Sequence, residues 1–428
     1  MRCASKSALI AVLAIPWLLP VAIRADDWPQ WRGPNRDGAW RETGIMQAFP
    51  AKGLETRWRV SAGWGFSSPV VAQGRVFLAD SVVVKPKAKE RFRCFDAATG
   101  KTLWTHEVDV VYEDWAFDPA QEIGPVATPI VRGGKVYTLG RLGHLFCFDV
   151  RAGEVLWKRN LEKEYSVTFA PGSPSPLIEG DLLIVFIGGK PGAGVVAFHK
   201  DTGKEVWKAL DESLTFSSPM IIFAGGKKQL IVWTQESVTS LNPDSGKTYW
   251  RQPLRTSNEY AVSTPVFDRN RLLIGGMMFQ LDADKTAARV LWPDSRAPAR
   301  RILSNTSTAL LRGDCLFSAK SSGELVCLDA STGKKLWQSD KVTDLRTGAS
   351  IHLTPNGDSV LIYTDRGELI RAELTPRGFK EISRVRVLNP TLPFAGRKVA
   401  WTPPAYANGH IFARNGHELI CASLVKRP

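Results

Sequence analysis

The chain has 428 residues, a formal net charge of +14, 36 glycines and 27 prolines. It shows no sustained helical periodicity, so the composition excludes a mainly helical protein and favours an all-β fold. The positive charge is spread along the chain and forms no basic groove interleaved with aromatic residues, which argues against a nucleic-acid-binding protein.

Residues 1–25 are predicted to be a cleavable signal peptide. Arg2 and Lys6 make a basic start, an apolar run extends over residues 8–23, and Ala25 is a small residue at a plausible cleavage point. The apolar run is short and contains two prolines, so a permanent transmembrane helix is the less favoured interpretation. We therefore expect an exported protein, periplasmic or secreted, that does not span the membrane.

Residues 26–53 form an N-terminal arm that precedes the repeats. The arm contains the sequence D-W-P-Q-W-R-G-P, from Asp27 to Pro34. Prolines, glycines and tryptophans in this order are typical of neither a helix nor a regular strand. We expect the apolar rings of the arm to pack on the outside of the domain.

A turn motif recurs through residues 54–428. In its fullest form, from Gly323 to Trp337, an alternating strand ends at Asp329, Gly333 supplies a left-handed turn, and a second strand closes on Trp337. The other copies are Asp96–Trp104, Asp149–Trp157, His199–Trp207, Asn242–Trp250, a longer copy without glycine at Asp282–Trp292, and a degenerate one at Glu373–Ile382. The tryptophans lie about 42 to 53 residues apart, the length of a four-stranded propeller blade.

A hydroxyl residue opens the first strand of each unit and should line the mouth of a central channel. The eight positions are Ser68, Thr128, Ser175, Ser218, Thr264, Thr308, Ser350 and Thr402. Most precede a proline, which fits the first position of a strand because no ladder hydrogen bond is lost there.

The last unit ends without an outer strand, and residues 54–60 supply one, with Trp58 in the expected place. The sequence therefore predicts an all-β, eight-bladed β-propeller of four-stranded antiparallel blades, closed by an N-terminal strand that completes the last blade. Closure removes exposed sheet edges, which otherwise promote aggregation.

Two motifs make the chain similar to the PQQ-like (pyrroloquinoline-quinone-like) β-propeller repeat family. They are the arm sequence Asp27–Pro34 and the blade signature A-x-D-x-x-T-G-K-x-x-W, present around Asp96–Trp104 and Asp329–Trp337. The resemblance covers residues 27–428 and implies a propeller. The family includes quinoprotein dehydrogenases and outer-membrane assembly scaffolds of the BamB type.

The resemblance also implies what a quinone enzyme would need. Such dehydrogenases hold the quinone between a tryptophan and a disulfide of two adjacent cysteines, beside a calcium ion bound by Glu, Asn and Asp. This chain has no adjacent cysteines and no recognisable calcium set. We therefore predict no PQQ or other cofactor, and keep a periplasmic quinone-dependent oxidoreductase as the alternative function.

No other pattern predicts catalysis. The six histidines are scattered without metal-ligand spacing, and neither a nucleophile elbow nor a phosphate loop is present. We predict no catalytic residue and no metal site.

The cysteines that follow the signal peptide are expected to be free thiols. Four of them occupy the same position in different blades, too far apart for a disulfide. With a turn at Ser322–Gly323, Ser318 should face Cys327 and Cys315 should point to the opposite side of the sheet.

A cluster of basic residues lies in the middle hairpin of the first blade: Lys85, Lys87, Lys89, Arg91 and Arg93. One interpretation is a site for an anionic partner such as lipid headgroups. The other is a solvated hairpin facing the acidic loop Asp109–Glu122.

The leading function is an exported, non-catalytic scaffold that binds a protein or another macromolecule of the cell envelope on one face, as a monomer. Loops that enter the innermost strands should carry the candidate partner-binding residues: Trp64, Trp115, Tyr260, His352, Arg397 and Trp401. An aromatic-rich rim suits an extended macromolecular partner. The alternative is that these side chains pack between blades.

Overall fold

The computed structural model describes residues 26–118, 120–167, 172–256, 261–294, 302–346 and 348–425. The predicted signal peptide lies outside these residues. Within the described ranges, no helix has the length and apolar character needed to cross a membrane.

Eight four-stranded antiparallel sheets form the ring, which confirms the predicted fold class. Each blade runs from an innermost strand a to an outermost strand d. Blades 1 to 4 comprise Val70–Ala72, Arg75–Val84, Lys87–Asp96 and Thr102–Val110; Ile130–Arg132, Lys135–Leu139, His144–Asp149 and Val155–Asn160; Leu177–Glu179, Leu182–Gly189, Ala193–His199 and Glu205–Ala209; Met220–Ala224, Lys227–Trp233, Ser237–Leu241 and Thr248–Pro253.

Blades 5 to 8 comprise Val266–Asp268, Arg271–Ile274, Met277–Leu281 and Ala288–Trp292; Leu310–Arg312, Cys315–Ala319, Leu325–Asp329 and Lys335–Ser339; Ile351–Asn356, Ser359–Thr364, Glu368–Thr375 and Gly378–Arg386; Ala405–Ala407, His410–Arg414, Glu418–Ser423 and Thr56–Ser61. Three small elements lie between blades: the 3-10 turn Asp114–Phe117, the helical turn Leu161–Glu164 and the hairpin Leu392–Phe394 with Arg397–Val399.

The ring closes as the sequence predicts. The N-terminal strand Thr56–Ser61 pairs antiparallel with Glu418–Ser423, and Trp58 lies opposite Cys421. The first strand of the propeller is thereby the outer strand of blade 8, so no blade is left incomplete at either end of the repeats.

The repeated turn is held by its aspartate. Asp329 Oδ1 accepts hydrogen bonds from the amides of Ser331 (3.1 Å) and Thr332 (2.8 Å) and from the Thr332 hydroxyl (2.8 Å). Gly333 follows at φ +71°, a conformation that residues with a side chain resist.

The same glycine also receives a tryptophan from the preceding blade. A Cβ atom on Gly153 would lie 2.6 Å from the Trp104 ring, and Trp104 Nε1 donates to the carbonyl of Val150 at 3.1 Å. The same contact recurs at Trp58 over Gly100, Trp157 over Gly203, Trp207 over Gly246 and Trp292 over Gly333. Trp250 differs, since blade 5 has no such glycine, and its Nε1 donates to Gln229 at 2.8 Å.

Three of the hydroxyls at the strand starts link neighbouring blades by accepting a hydrogen bond from a backbone amide of the blade before. Ser175 Oγ accepts from the amide of Thr128 (2.9 Å), and Ser218 Oγ accepts from the amide of Ser175 (3.0 Å). Thr308 Oγ1 accepts in the same way from the amide of Thr264 (3.0 Å). These positions thus satisfy backbone groups at the blade junctions.

The prediction that the arm packs its rings outside the domain is wrong. Trp28 and Trp40 are buried, and Trp28 exchanges two backbone hydrogen bonds with Val71 of strand a in blade 1 (2.8 and 2.9 Å). Trp31 Nε1 donates to Thr264 Oγ1 of blade 5 at 2.8 Å. Strand a is the innermost strand of each blade. The backbone groups on its free edge therefore face the channel and require hydrogen-bond partners. The arm supplies them by crossing the axis.

All five cysteines in the described part of the chain are free and buried, as expected. The register expected for blade 6 is wrong by one residue. Phe317 lies opposite Cys327, and Ser318 lies opposite Val326. Because side chains alternate along a strand, Cys315 and Cys327 share one face and one apolar cluster. Burial raises the pKa of Cys327 to about 12.

Candidate partner-binding face and axial cavity

The hairpin of strands b and c in blade 1 is longer than those of its neighbours and projects from one face of the ring. Arg75–Val84 and Lys87–Asp96 have 10 residues each, whereas Lys135–Leu139 in blade 2 has 5. Together with the segment that leads into Asp114–Phe117, it forms a protrusion that we call the crest (residues 81–90 and 106–118). The crest lies on the face made by the b–c hairpins and by the loops that enter strand a.

An ion pair and a carboxyl group fix the base of the crest. Asp80, fully buried, accepts from Arg91 at 2.7 and 2.8 Å and from Arg93 at 3.2 Å. The Glu90 carboxylate, also buried, accepts from the Tyr112 hydroxyl at 2.8 Å and from the backbone amide of Arg141 at 3.0 Å. Burial nevertheless raises the pKa of Glu90 to about 7, although both hydrogen bonds act to lower it.

Apolar side chains are exposed on the outer surface of the crest. Val111 is 88% exposed, Val84 68% and Trp115 44%. The Arg141 guanidinium lies 6.0 Å from the Trp115 ring, within cation–π range, and the indole Nε1 donates to Glu113.

Two lysines of the basic cluster in this hairpin are paired with acidic residues. Lys85 lies 3.2 Å from Asp114, and Lys89 lies 2.9 Å from Glu107. The Lys85–Asp114 contact agrees with the interpretation in which the hairpin faces the acidic loop Asp109–Glu122.

Three of the candidate partner-binding residues meet at the junction of blades 7 and 8. His352 Nε2 donates to the carbonyl of Trp401 at 2.8 Å, and burial lowers the pKa of His352 to about 4. The Trp401 ring contacts Phe394 (4.7 Å between centroids), and its Nε1 donates to the Gly348 carbonyl at 3.1 Å. Arg397 binds the buried Asp365 at 2.8 Å. Internal partners therefore hold all three side chains.

The remaining candidates differ in position. Trp64 is half-buried and pairs through its backbone with Ser81 at the base of the crest. Tyr260 lies outside the described residues. The exposed Val84 and Val111 were missed by the sequence reasoning. For Val84, the signal is the apolar run Val82–Val84 directly before Lys85 and Pro86, at the expected tip of a hairpin.

A cavity lies on the axis, between the arm and the starts of the innermost strands. The arm enters from the end where strands a and b connect, since Asp27 accepts from the amide of Gln73 and Glu42 from the amide of Gly409. The cavity lies on the other side of the arm from this end, towards the residues that begin the innermost strands, such as Ser68 and Thr308. Its lining consists of Trp28, Gln30, Trp31, Arg32, Gly38, Ser68, Thr308, His352, Leu353, Thr354, Pro403 and Pro404.

This lining does not fit a quinone with its calcium ion. It contains no carboxylate and no cysteine, and the cavity has room for only a few water molecules. The described residues contain no group of three or more His, Cys, Asp or Glu that could hold a metal.

A family model for the outer membrane protein assembly factor BamB matches residues 46–193 and 191–378. The BamB of Burkholderia pseudomallei is 25% identical over 331 residues, 73% of this chain and 76% of that protein. The BamB of Shewanella oneidensis is 23% identical over 230 residues, 49% of this chain, which spans about half of that relative (55%). The quinoprotein alcohol dehydrogenase PedH of Pseudomonas putida is 28% identical, but over 32% of this chain and 25% of the enzyme.

Two solved structures share the fold. BamB from Moraxella catarrhalis superposes with a TM-score of 0.58 at 15% identity, covering 86% of this chain and 99% of that one. Quinohemoprotein alcohol dehydrogenase from Comamonas testosteroni gives 0.65 at 13% identity, covering 94% and 81%. At such identities the likeness concerns the fold alone. With the repeats, the closed ring and the family match together, the chain belongs to the BamB family of PQQ-like β-propellers.

Proposed function

We propose that this protein is an exported, non-catalytic scaffold of the cell envelope that binds a protein partner through the crest. The observation that carries the proposal is the exposure of Val84, Val111 and Trp115 on a protrusion with a buried, hydrogen-bonded base. Grouped apolar side chains rimmed by charges are typical of interaction sites, and a few aromatic residues usually dominate their binding energy.

The rigidity of the crest favours this role. The ion pair of Asp80 with Arg91 and the Tyr112–Glu90 hydrogen bond hold its base, and an apolar cluster around Val110 and Ala116 fills its interior. Binding therefore needs little ordering of the backbone, which reduces the entropic cost of association. The charged pair Lys85–Asp114 lies beside the apolar residues and can orient a partner.

The relatives support the cellular setting of the proposal. Several of them carry the name of an outer membrane assembly factor, and the predicted signal peptide agrees with export. We propose a periplasmic or secreted monomer that acts in the envelope through a protein partner rather than nucleic acid.

Replacing the exposed indole tests the crest. Trp115→Ala should weaken binding to the partner that the wild-type protein recovers from its own envelope extract by about 2 kcal/mol or more, roughly a 30-fold loss, with little change in melting temperature. Quantitative pull-down and thermal denaturation measure the two effects.

Trp401→Ala is the matched control. It removes an indole that packs on Phe394 and donates to Gly348, so it should lower the melting temperature and leave partner affinity unchanged. Full partner binding by Trp115→Ala would refute the crest as the interface. Loss of binding in Trp401→Ala alone would move the interface to blades 7 and 8.

A quinone-dependent oxidoreductase is the second candidate, because part of the chain is similar to PedH. The cavity lining does not favour it, so we expect neither stoichiometric binding of pyrroloquinoline quinone in the presence of calcium nor dye reduction with alcohols. Turnover in that assay would replace the scaffold proposal.

A further inference from the structure

We propose that the axial cavity is a binding site for a small oxyanion, either a carboxylate or inorganic phosphate, held by Arg32, Ser68 and Thr308. This site goes beyond the proposed scaffold function, since none of its lining residues belongs to the crest and its chemistry is polar and cationic rather than apolar. It holds whether or not a macromolecule binds the crest.

The charge of the cavity is positive. Arg32 lines it, and two of its nitrogens donate to backbone carbonyls, Nε to Arg36 at 3.2 Å and Nη2 to Asp37 at 2.9 Å. None of the lining residues is acidic. The nearby Asp37 carboxylate binds Arg41 at 2.5 Å. Burial lowers the pKa of Arg32 to about 10, with Asp37 opposing the effect, so the guanidinium stays charged at neutral pH.

A second buried cation strengthens this charge. Arg36 is 8% exposed, and its two terminal nitrogens donate to the carbonyls of Pro176 (2.9 Å) and Pro219 (3.0 Å). Its Nε has no partner among the described residues. Arg32 and Arg36 donate to backbone carbonyls, and Asp37, the carboxylate whose charge acts on Arg32, is itself paired with Arg41. A net positive charge therefore remains that a bound anion would neutralise.

The hydroxyls supply the remaining donors. Ser68 lines the cavity at 4% exposure, and its Oγ makes no hydrogen bond within the described part of the chain. A buried hydroxyl without a partner is costly, and an oxyanion is the acceptor that it lacks. Thr308 Oγ1 accepts from Thr264, which leaves its own proton for a ligand.

His352 completes the lining without adding charge. Its Nε2 donates to the Trp401 carbonyl, and a pKa of about 4 keeps the ring neutral at physiological pH. Attraction for the anion therefore comes from Arg32, whose planar fork matches the geometry of carboxylate and phosphate oxygens.

The test titrates the full-length mature protein with acetate and, separately, with inorganic phosphate, at constant ionic strength, by calorimetry. We expect saturable binding of at least one probe, and the probe that binds identifies the class of anion. Ser68→Ala should reduce the affinity about tenfold or more, the effect of losing one hydrogen bond to a charged group.

Ser67→Ala is the matched control. Ser67 precedes Ser68 in the chain. Like Ser68 it is buried and its Oγ has no hydrogen-bond partner among the described residues, but it does not line the cavity. The Ser67→Ala variant should bind the anion with the affinity of the wild type. Without anion, neither variant should melt below the wild-type temperature, because each removes a buried hydroxyl that has no partner in the described part of the chain and therefore destabilises the fold.

Two outcomes overturn the proposal: no saturable binding of either probe, or equal affinities for wild type and Ser68→Ala. If Ser68→Ala does not fold, Arg32→Lys takes its place. It keeps the charge but loses the planar fork, and it should bind the probe more weakly. Unchanged affinity in that variant would equally refute the site.

Discussion

Deletion of residues 26–62 should turn the protein into an aggregating, non-cooperative species. The deletion removes the outer strand of blade 8 and three buried tryptophans, Trp28, Trp40 and Trp58. It also exposes the backbone of Glu418–Ser423 as an open sheet edge, which is a template for intermolecular pairing. Size-exclusion chromatography and thermal denaturation monitored by circular dichroism measure the effect.

A shorter deletion separates the arm from the closing strand. Removal of residues 26–53 keeps Thr56–Ser61 paired with Glu418–Ser423 but removes the arm from the central channel. This variant should stay monomeric, unfold cooperatively and have a lower melting temperature than the full mature chain. A monomeric, cooperatively unfolding product of the longer deletion would contradict the role of the closing strand.

Trp207→Ala should lower the free energy of unfolding by about 3 to 5 kcal/mol, as truncation of a large buried side chain does. Its ring is 8% exposed, lies against Gly246 of the next blade and donates from Nε1 to the Pro243 carbonyl at 3.1 Å. The substitution leaves both a cavity at the blade junction and an unpaired carbonyl. Denaturant-induced unfolding followed by fluorescence and circular dichroism provides the free energy.

The neighbouring Val206 is the control for this substitution. It lies on the same strand but is 51% exposed, so Val206→Ala should change the free energy of unfolding by about 0.5 kcal/mol or less. A loss below about 1 kcal/mol in Trp207→Ala would show that the tryptophan contacts do not hold the blades together.

Most of the architecture could be predicted because its signals are local and repeated. The Asp329 turn, the glycine after it and the tryptophan that closes the next strand lie within a few residues of one another, and the chain presents the pattern in blade after blade. Counting these units and noting the missing last strand was sufficient for eight blades and for the place of Trp58.

The candidate site was only partly accessible from the sequence. Loop position alone placed Trp115, His352 and Trp401 on one face, but it contained no information on their partners. In the structure His352 and Trp401 bind each other and the surrounding backbone, whereas Trp115 is exposed beside Arg141. Exposure depends on which neighbours fill the surrounding space, and those neighbours come from segments far apart in the chain, as with His352 and Trp401.

By itself, the sequence determined the repeat, the closed ring and the family, since strand alternation, turn chemistry and blade length are properties of short segments. The tertiary structure alone decided the path of the arm and the lining of the axial cavity. Trp31 meets Thr264 across 233 residues of chain, and Arg36 bonds to carbonyls of two separate blades. Such contacts form only after the ring has closed, because the axial space and the free edges of the innermost strands do not exist before that. The periodicity of the sequence therefore does not predict them.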